Sequence, residues 1–343
     1  MYLCELFKMR VGLTILLIIV LGACNSDYTK ALKTEDIEVK YEAAKKYYNE
    51  AKQQDSIAKA RANSSELTDT VVKQKVSRKE RRAQSGYSKA LPLFDGLISE
   101  MRLTGDRRLE EVYFYYAYCW AGSGDYSMAA FHFKIFIETY TRSSRREQAW
   151  YQYVYCKYAL TYPVELDQTA TKNAIKEIQL FVNQYPNSVY INDCNVYLDK
   201  LRDKLKEKAY RQAKLYYQIG DYKAALTTMR SVINDYPEIE QKEELSYLIV
   251  RSHYMYADKS ITSKKEERYE ETIEEIDMFK SEFPNSTYLP ELETLKIQTN
   301  VAIEEVKAEQ MKDKAKEEGK TLEPKTENNT GADQDSATKK KVE

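Results

Sequence analysis

Glycine and proline are scarce in this chain of 343 residues, which has only 10 glycines and 7 prolines beside 30 tyrosines. Strand-rich and nucleotide-binding folds use glycine freely at turns and phosphate loops. The hydrophobic content of 43% is nevertheless sufficient for a folded core. The composition argues against those glycine-rich classes and indicates a helical, tyrosine-rich protein.

Histidine is almost absent, since only His132 and His253 occur, far apart in the chain. Two isolated histidines cannot form a histidine metal cluster or a convincing catalytic triad. The sequence also contains no GxGxxG, P-loop, HExxH, CxxC or GxSxG motif. We therefore predict that the protein is not an enzyme, with no catalytic, metal or cofactor-binding residues.

The net charge is close to zero, because 53 basic residues nearly cancel 54 acidic ones. No overall field attracts an anionic polymer, and we expect no nucleic-acid partner. The five cysteines show no metal-ligand spacing and do not predict a disulfide framework. We expect Cys119, Cys156 and Cys194 to be small core residues.

The longest apolar run, residues 11–23, has 13 residues and follows Lys8 and Arg10. A membrane-spanning helix needs roughly 20 apolar residues, so this run is too short to be an anchor. Its layout is that of a secretory signal peptide over residues 1–23. Leu21-Gly22-Ala23-Cys24 resembles a bacterial lipobox, in which the cysteine is acylated and becomes the first residue.

Lipidation of Cys24 would anchor the mature protein by acyl chains, at about 0.8 kcal/mol per buried methylene. Asn25 and Ser26 follow, rather than an aspartate that retains lipoproteins at the inner membrane. We expect a lipid-anchored protein of the outer membrane that faces the periplasm, with residues 24–36 as a lipidated linker.

Internal repeats are visible in "GDYSMAAFHFKIFIETY" (124–140) and "GDYKAALTTMRSVINDYP" (220–237). Three further segments share the second half of this pattern, and their apolar residues recur at helical spacing. Each is preceded by a helix with a small residue where two helices approach. This pattern matches the tetratricopeptide repeat and predicts an all-α superhelix of about five helix-turn-helix units over residues 37–302, followed by a C-terminal helix. The small residues are Ala44, Ala117, Val154, Ala213 and Ser252.

A second pattern places aromatic residues on the first helix of each unit, offset from its packing face. At 100° per residue they lie about 120° from the small residues, on the side that is concave in a helical superhelix. They are candidates for a groove that binds an extended apolar or aromatic peptide. The alternative is that these long side chains pack between neighbouring units. The candidate residues are Tyr41, Tyr48, Phe114, Tyr118, Tyr151, Tyr155 and Tyr158.

Two segments differ from the repeats. Residues 51–84 are polar and mixed in charge, and we interpret them as a flexible or solvated helical insertion in the first unit. Residues 303–343 are predicted to extend a capping helix and then form a disordered tail. Three short sequences in these segments resemble acceptors for O-glycans in Bacteroidota, namely Asp55-Ser56-Ile57, Asp69-Thr70-Val71 and Asp335-Ser336-Ala337.

The lipobox and five such units together resemble the BamD family, lipoprotein subunits of the outer-membrane β-barrel assembly machinery, in its Bacteroidota versions. The resemblance covers about 24–300 and implies a periplasmic scaffold without a cofactor. Its implied partners are the BamA-type barrel subunit, other lipoproteins of the machinery, unfolded barrel precursors and, through acylated Cys24, outer-membrane lipid. The match is carried by Cys24, "EEVYFYYAYCWAGSGDYSMAAFHFKIFIETY", "LDQTATKNAIKEIQLFVNQYPNS", "EKAYRQAKLYYQIGDYKAALTTMRSVINDYP" and "SKKEERYEETIEEIDMFKSEFPNS".

Two alternatives stay open at this point. SusD-like glycan-capture lipoproteins also contain such repeats behind a lipobox, although they are longer and have a large portion outside the repeats. A periplasmic division or envelope coordinator is the other alternative, but such proteins typically carry no lipid.

Overall fold

The computed structural model describes residues 26–62 and 70–320. Over these residues the chain forms twelve helices and no strand, as the helical periodicity predicted. The helices are α1 (Ser26–Lys33), α2 (Ile37–Ala62), α3 (Thr70–Thr104), α4 (Leu109–Ser123), α5 (Tyr126–Thr139), α6 (Arg146–Ala159), α7 (Thr169–Gln184), α8 (Ile191–Gln218), α9 (Tyr222–Asp235), α10 (Lys242–Asp258), α11 (Thr262–Glu282) and α12 (Leu289–Lys320).

The helices form consecutive pairs, from α2 and α3 to α10 and α11, followed by α12. This arrangement confirms the predicted tetratricopeptide-like fold. The chain divides into two compact units, of which unit 1 ends at Leu205 and unit 2 begins at Lys206, inside helix α8. We call the five pairs repeats 1 to 5.

The small residues predicted at the helix crossings are all completely buried. A small side chain lets two helices approach closely, and burial of the neighbouring apolar side chains then stabilises the pair. In unit 1, Ala117 packs in one continuous core with Phe133 and Phe136. In unit 2, Ala213 packs with Ala225 and Met229.

The Gly-Asp-Tyr sequences form the turns inside repeats 2 and 4. Gly124 and Gly220 have φ angles of 92° and 81°, in the left-handed region that glycine adopts without a steric penalty. The aspartate that follows begins the next helix, and its side chain accepts a hydrogen bond from a backbone amide. The amide of Met128 lies 3.0 Å from Asp125 Oδ1. This cap explains why the motif marks the start of a second helix.

The segments outside the repeat pattern are helical where the structure describes them. Residues 51–62 form the end of α2, and residues 70–84 form the beginning of α3. The polar segment thus lengthens the hairpin of repeat 1. Ala51, Ala58 and Ala83 are buried, which shows that part of this segment packs. The expected linker at 24–36 contains α1. The signal peptide, Cys24 and residues 321–343 lie outside the described residues.

Candidate functional site

A pocket of about 310 Å³ lies in unit 1 among helices α2 to α6. It lies where the hairpin of repeat 1 passes the turn of repeat 2 and the first helix of repeat 3. Three helical pairs therefore contribute to one concave surface. The lining residues are Asp55, Lys59, Glu80, Ala83, Gln84, Tyr87, Tyr118, Ala121, Gly122, Gly124, Tyr126, Gln152 and Tyr155.

Two glycines shape the floor of the pocket. A Cβ atom at Gly122 would lie 2.2 Å from Cδ2 of Tyr87, which no side chain tolerates, so only glycine lets the Tyr87 ring lie directly on α4. Gly124 ends α4, and a Cβ there would approach the side-chain amide of Gln84 to 3.1 Å. That amide donates a hydrogen bond of 2.6 Å to the carbonyl of Ser123. The α4 terminus is thereby fixed against α3.

The hydroxyl of Tyr87 is a buried polar group that has no hydrogen-bond partner within the described part of the chain. The side chain is only 1% exposed. An unsatisfied buried hydroxyl costs on the order of 1–3 kcal/mol, a cost that a polar ligand atom would remove. Burial raises the pKa of Tyr87, so its hydroxyl stays protonated at neutral pH and can donate as well as accept.

Aromatic rings form the walls of the pocket. Tyr126 and Tyr155 meet edge to face, with centroids 5.9 Å apart and an interplanar angle of 85°. Tyr118 lies on the opposite helix α4 and is half-buried. Burial raises the pKa of Tyr118 and of Tyr155, so both rings are neutral. Such walls offer apolar contact area with a few polar atoms, which suits an aromatic side chain.

The rim of the pocket is polar. Lys59 and Asp55 form an ion pair of 2.8 Å one helical turn apart on α2. Gln152 contributes an amide from α6. Amide and charged groups at the mouth can pair with the backbone of an extended peptide, while a side chain occupies the interior.

The seven residues predicted to line a peptide groove fall into three groups. Tyr118 and Tyr155 line the pocket. Tyr41, Tyr48 and Phe114 do not, because only 5%, 3% and 3% of their surface is exposed. Their placement on an open groove was wrong, since the neighbouring pair covers Tyr41 and Tyr48, and the second helix of its own pair covers Phe114. Tyr48, for example, contacts Tyr115 of the next pair with centroids 4.6 Å apart.

Tyr151 and Tyr158 form the third group and stack on residues from the start of α8 and the turn before it. The Tyr151 ring lies parallel to Tyr190, with centroids 4.0 Å apart. The Tyr158 ring lies on Tyr197 with centroids 4.5 Å apart. Both tyrosines pack between consecutive repeats in unit 1, which was the alternative interpretation of the aromatic pattern.

Four of the tyrosine contacts to the next helical pair or to α12 follow one rule. Each of these tyrosines lies on the first helix of a repeat. Its hydroxyl donates a hydrogen bond to the acidic third residue of the first helix of the next repeat or, after repeat 5, of α12. At this position the partial positive charge of the helix N-terminus also favours a carboxylate. The pairs are Tyr41 with Glu111 at 3.4 Å, Tyr151 with Asp193 at 2.9 Å, Tyr210 with Glu244 at 2.7 Å and Tyr247 with Glu291 at 2.7 Å.

Repeat 2 departs from this rule. Its aligned position is Phe114, which has no hydroxyl, and the third residue of α6 is Gln148, which has no charge. The contact from repeat 2 to repeat 3 therefore lacks both halves of the pair. The pocket is built at this same step of unit 1, since Tyr118 and Tyr155 come from these two repeats.

The sequence did not indicate the pocket residues on the hairpin of repeat 1, above all Asp55, Lys59 and Gln84. The polar composition of residues 51–84 suggested a flexible or solvated helical insertion in the first unit. A signal was nevertheless present, since alanines recur at seven-residue spacing at 44, 51 and 58. That spacing places them on one face of a helix and indicates that α2 continues as a packed element.

Comparison with known proteins identifies a protein family that this chain matches. The YfiO family model, described as an outer membrane lipoprotein, matches residues 79–255, just over half of the chain. A relative is the outer membrane protein assembly factor BamD of Caulobacter vibrioides, which is 25% identical over 118 residues. That alignment covers 34% of this chain and 39% of the relative.

None of the helices in the described ranges combines the length and the apolar character that crossing a membrane requires. The family match begins in the second half of the repeat 1 hairpin and extends through helix α9 into α10. It includes most of the pocket, although Asp55 and Lys59 lie before it. With its repeat fold and a match over more than half of its length, the chain is a BamD-like member of the YfiO family of outer membrane lipoproteins.

Proposed function

We propose that this protein is a lipid-anchored factor for outer-membrane protein assembly and that its pocket in unit 1 binds a side chain of unfolded barrel precursors. The observation that carries this proposal is the buried Tyr87 hydroxyl, which has no partner among the described residues, beneath the tyrosine walls of the pocket. A site of this kind needs a ligand with one large apolar group and a few polar atoms.

Barrel precursors supply such a group. They contain strands of alternating apolar residues and often end in an aromatic residue, and in the unfolded chain these rings are free. A volume of about 310 Å³ is enough for one aromatic side chain and not for a folded element. One ring would enter between Tyr118 and Tyr155, and Gln152 would pair with the peptide backbone at the rim. Precursors would then be selected by aromatic content rather than by exact sequence.

Anchoring is proposed to occur through Cys24, whose surroundings have the lipobox pattern. Replacement of Cys24 by Ala should abolish labelling by radioactive palmitate and release the protein from the membrane fraction. Palmitate incorporation at the wild-type level in this variant would show that another residue carries the lipid.

The proposed partners are a BamA-type barrel subunit and other lipoproteins of the assembly machinery. Support comes from the name of the Caulobacter relative, an assembly factor, and from exposed apolar residues in unit 2. Ile297 and Val301 lie one turn apart on α12 and are 67% and 55% exposed. Exposed apolar residues on a terminal helix favour contact with another protein.

Two experiments test this function. A photo-reactive phenylalanine analogue at Gln152 should crosslink barrel precursors in living cells, whereas the same analogue at exposed Val189 should not. Co-purification from solubilised membranes should recover the BamA-type subunit, and Val301→Glu should reduce its yield. Equal crosslinking at both positions, with no barrel subunit recovered, would contradict the proposal.

A further inference from the structure

Helix α1 is packed on the hairpin of repeat 1. Tyr28 meets Tyr47 of α2 edge to face, with centroids 5.4 Å apart, and donates a hydrogen bond of 3.3 Å to the carbonyl of Lys89 on α3. Ala31 is only 4% exposed and belongs to the core of unit 1. Because both helices of the hairpin contact α1, this helix is part of the folded body and not a free linker.

The position of α1 limits how far unit 1 can lie from the point of lipid attachment. Ser26, its first residue, follows Cys24 by two positions, and two residues span at most about 7 Å. Gln84 of the pocket precedes Lys89 by five residues on the same helix, which is about 7.5 Å along its axis. Ser26 precedes Tyr28 by two residues, and the Tyr28 hydroxyl contacts Lys89, so the first residue of α1 lies near the part of α3 that carries Gln84.

We infer that α1 is a short clamp that holds unit 1 on the phospholipid surface, so that the aromatic pocket operates next to the membrane. This inference rests on the proposed acylation of Cys24. If α1 were released from the hairpin, residues 24–36 would form a tether of up to about 45 Å, and the pocket would no longer have a fixed height.

The exposed side of α1 has the character of a membrane contact. Lys30 and Lys33 are exposed on the side of α1 that faces away from the core, and Leu32, at the edge of the packed side, is 39% exposed. Lys89, which is also exposed, extends its ammonium group over the Tyr47 ring at 5.9 Å. Lysines pair with lipid phosphates, and an exposed leucine can enter the interface between head groups and acyl chains. A phospholipid surface is thus the partner that this face fits.

The test measures the height of the pocket above a bilayer. The full-length acylated protein carries a donor dye at Ser85→Cys, an exposed position beside Gln84, and is bound to vesicles of phosphatidylethanolamine and phosphatidylglycerol that contain an acceptor lipid. The native thiols at Cys119, Cys156 and Cys194 are buried and should not react with the dye. Flotation of the vesicles reports separately whether the lipid anchor works.

Energy transfer should be high in the otherwise unchanged protein and should fall at least twofold when Tyr28→Ala and Ala31→Glu undock α1. Tyr28→Ala alone, which introduces no charge, should give an intermediate value, and Tyr162→Ala, at an exposed tyrosine, should give no change. If the protein floats with the vesicles but the undocking variants leave the energy transfer unchanged, α1 is not a clamp. The lipid anchor would then still be supported. Failure of the protein with intact Cys24 to float would overturn both.

Discussion

The ring of Tyr151 lies parallel to the ring of Tyr190, with centroids 4.0 Å apart and an interplanar angle of 10°. Its hydroxyl donates a hydrogen bond of 2.9 Å to Asp193 at the start of α8. Stacking and hydrogen bond together hold the first helix of repeat 3 against the N-terminal part of α8 in unit 1. Tyr151 is therefore expected to act on stability and not on ligand binding.

Substitution of Tyr151 tests this role. Tyr151→Ala removes both contacts and should lower the free energy of unfolding by about 2–3 kcal/mol, since large aromatic truncations in packed sites cost this much or more. Tyr151→Phe keeps the stacked ring and loses the contacts of the hydroxyl with Asp193 and Tyr197, which should cost about 1–2 kcal/mol. Chemical denaturation measures both. Equal stability of wild type and Tyr151→Ala would show that the stacking contributes nothing.

The floor of the pocket depends on the absence of a side chain at position 122. Gly122→Ala places a methyl group 2.2 Å from Tyr87 Cδ2, so the ring must move or α4 must shift. We expect a loss of about 1–3 kcal/mol in stability, as for other overpacked sites, together with a loss of peptide binding.

Gly105→Ala is the matched control for this substitution. Gly105 has a φ of 70° and no atom within 4 Å of a Cβ, so alanine there costs only backbone strain of about 1–2 kcal/mol. Its peptide affinity should equal that of the wild type. Unimpaired peptide binding by Gly122→Ala would contradict the assigned pocket geometry.

His253 gives unit 2 a dependence on pH. Its ring is buried, and burial, together with the nearby Arg230 at 3.0 Å, lowers its pKa to about 4. Glu271 and Glu275 also face the ring, at 3.6 and 3.9 Å. In the unfolded chain the pKa of histidine is about 6.5. The unfolded state therefore binds more protons between these two values, and stability should fall as the pH drops from about 6.5 to about 4.

Removal of the imidazole isolates this effect. His253→Gln should make the stability of unit 2 less dependent on pH across that window, whereas His132→Gln, in unit 1, should leave the slope of unit 2 unchanged. Hydrogen exchange of the α10 amides, measured together with thermal melts at several pH values, reports the stability of unit 2. An identical pH slope in His253→Gln and wild type would show that His253 is not the titrating group.

The sequence predicted the repeats well because their determinants are local. A small residue such as Ala117 at a crossing, or Gly124 and Asp125 at a turn, fixes the backbone whatever the neighbouring repeat does. The environment of the tyrosines, in contrast, is not determined locally. Helical spacing places Tyr41 and Tyr151 on a common face, but whether the following helix covers that face depends on packing between repeats. For the same reason the pocket could not be predicted, since its residues come from five helices.

The pairing between tyrosines and acidic residues can be predicted from the sequence only when the helix boundaries are known. Each acceptor is the third residue of a helix, a position where acidic residues are common for electrostatic reasons alone. Without the boundaries, Glu111 and Glu291 cannot be distinguished from the other acidic residues of the chain.

Peptide affinity shows whether the unit 1 pocket binds aromatic side chains of barrel precursors. A ten-residue peptide with alternating apolar residues and a terminal phenylalanine should bind the wild type, and the same peptide ending in serine should bind at least tenfold more weakly. Tyr155→Ala should reduce affinity by about tenfold, which corresponds to 1–2 kcal/mol for a contact residue of this kind.

Two further variants separate binding from folding in the same titration. Gln152→Trp should fill the pocket and abolish binding while the melting temperature stays close to that of the wild type, and Tyr162→Ala, at an exposed tyrosine outside the pocket, should bind normally. Peptide affinity should therefore depend on the pocket residues and on the terminal phenylalanine. Equal affinity of wild type, Tyr155→Ala and Gln152→Trp for both peptides would contradict it.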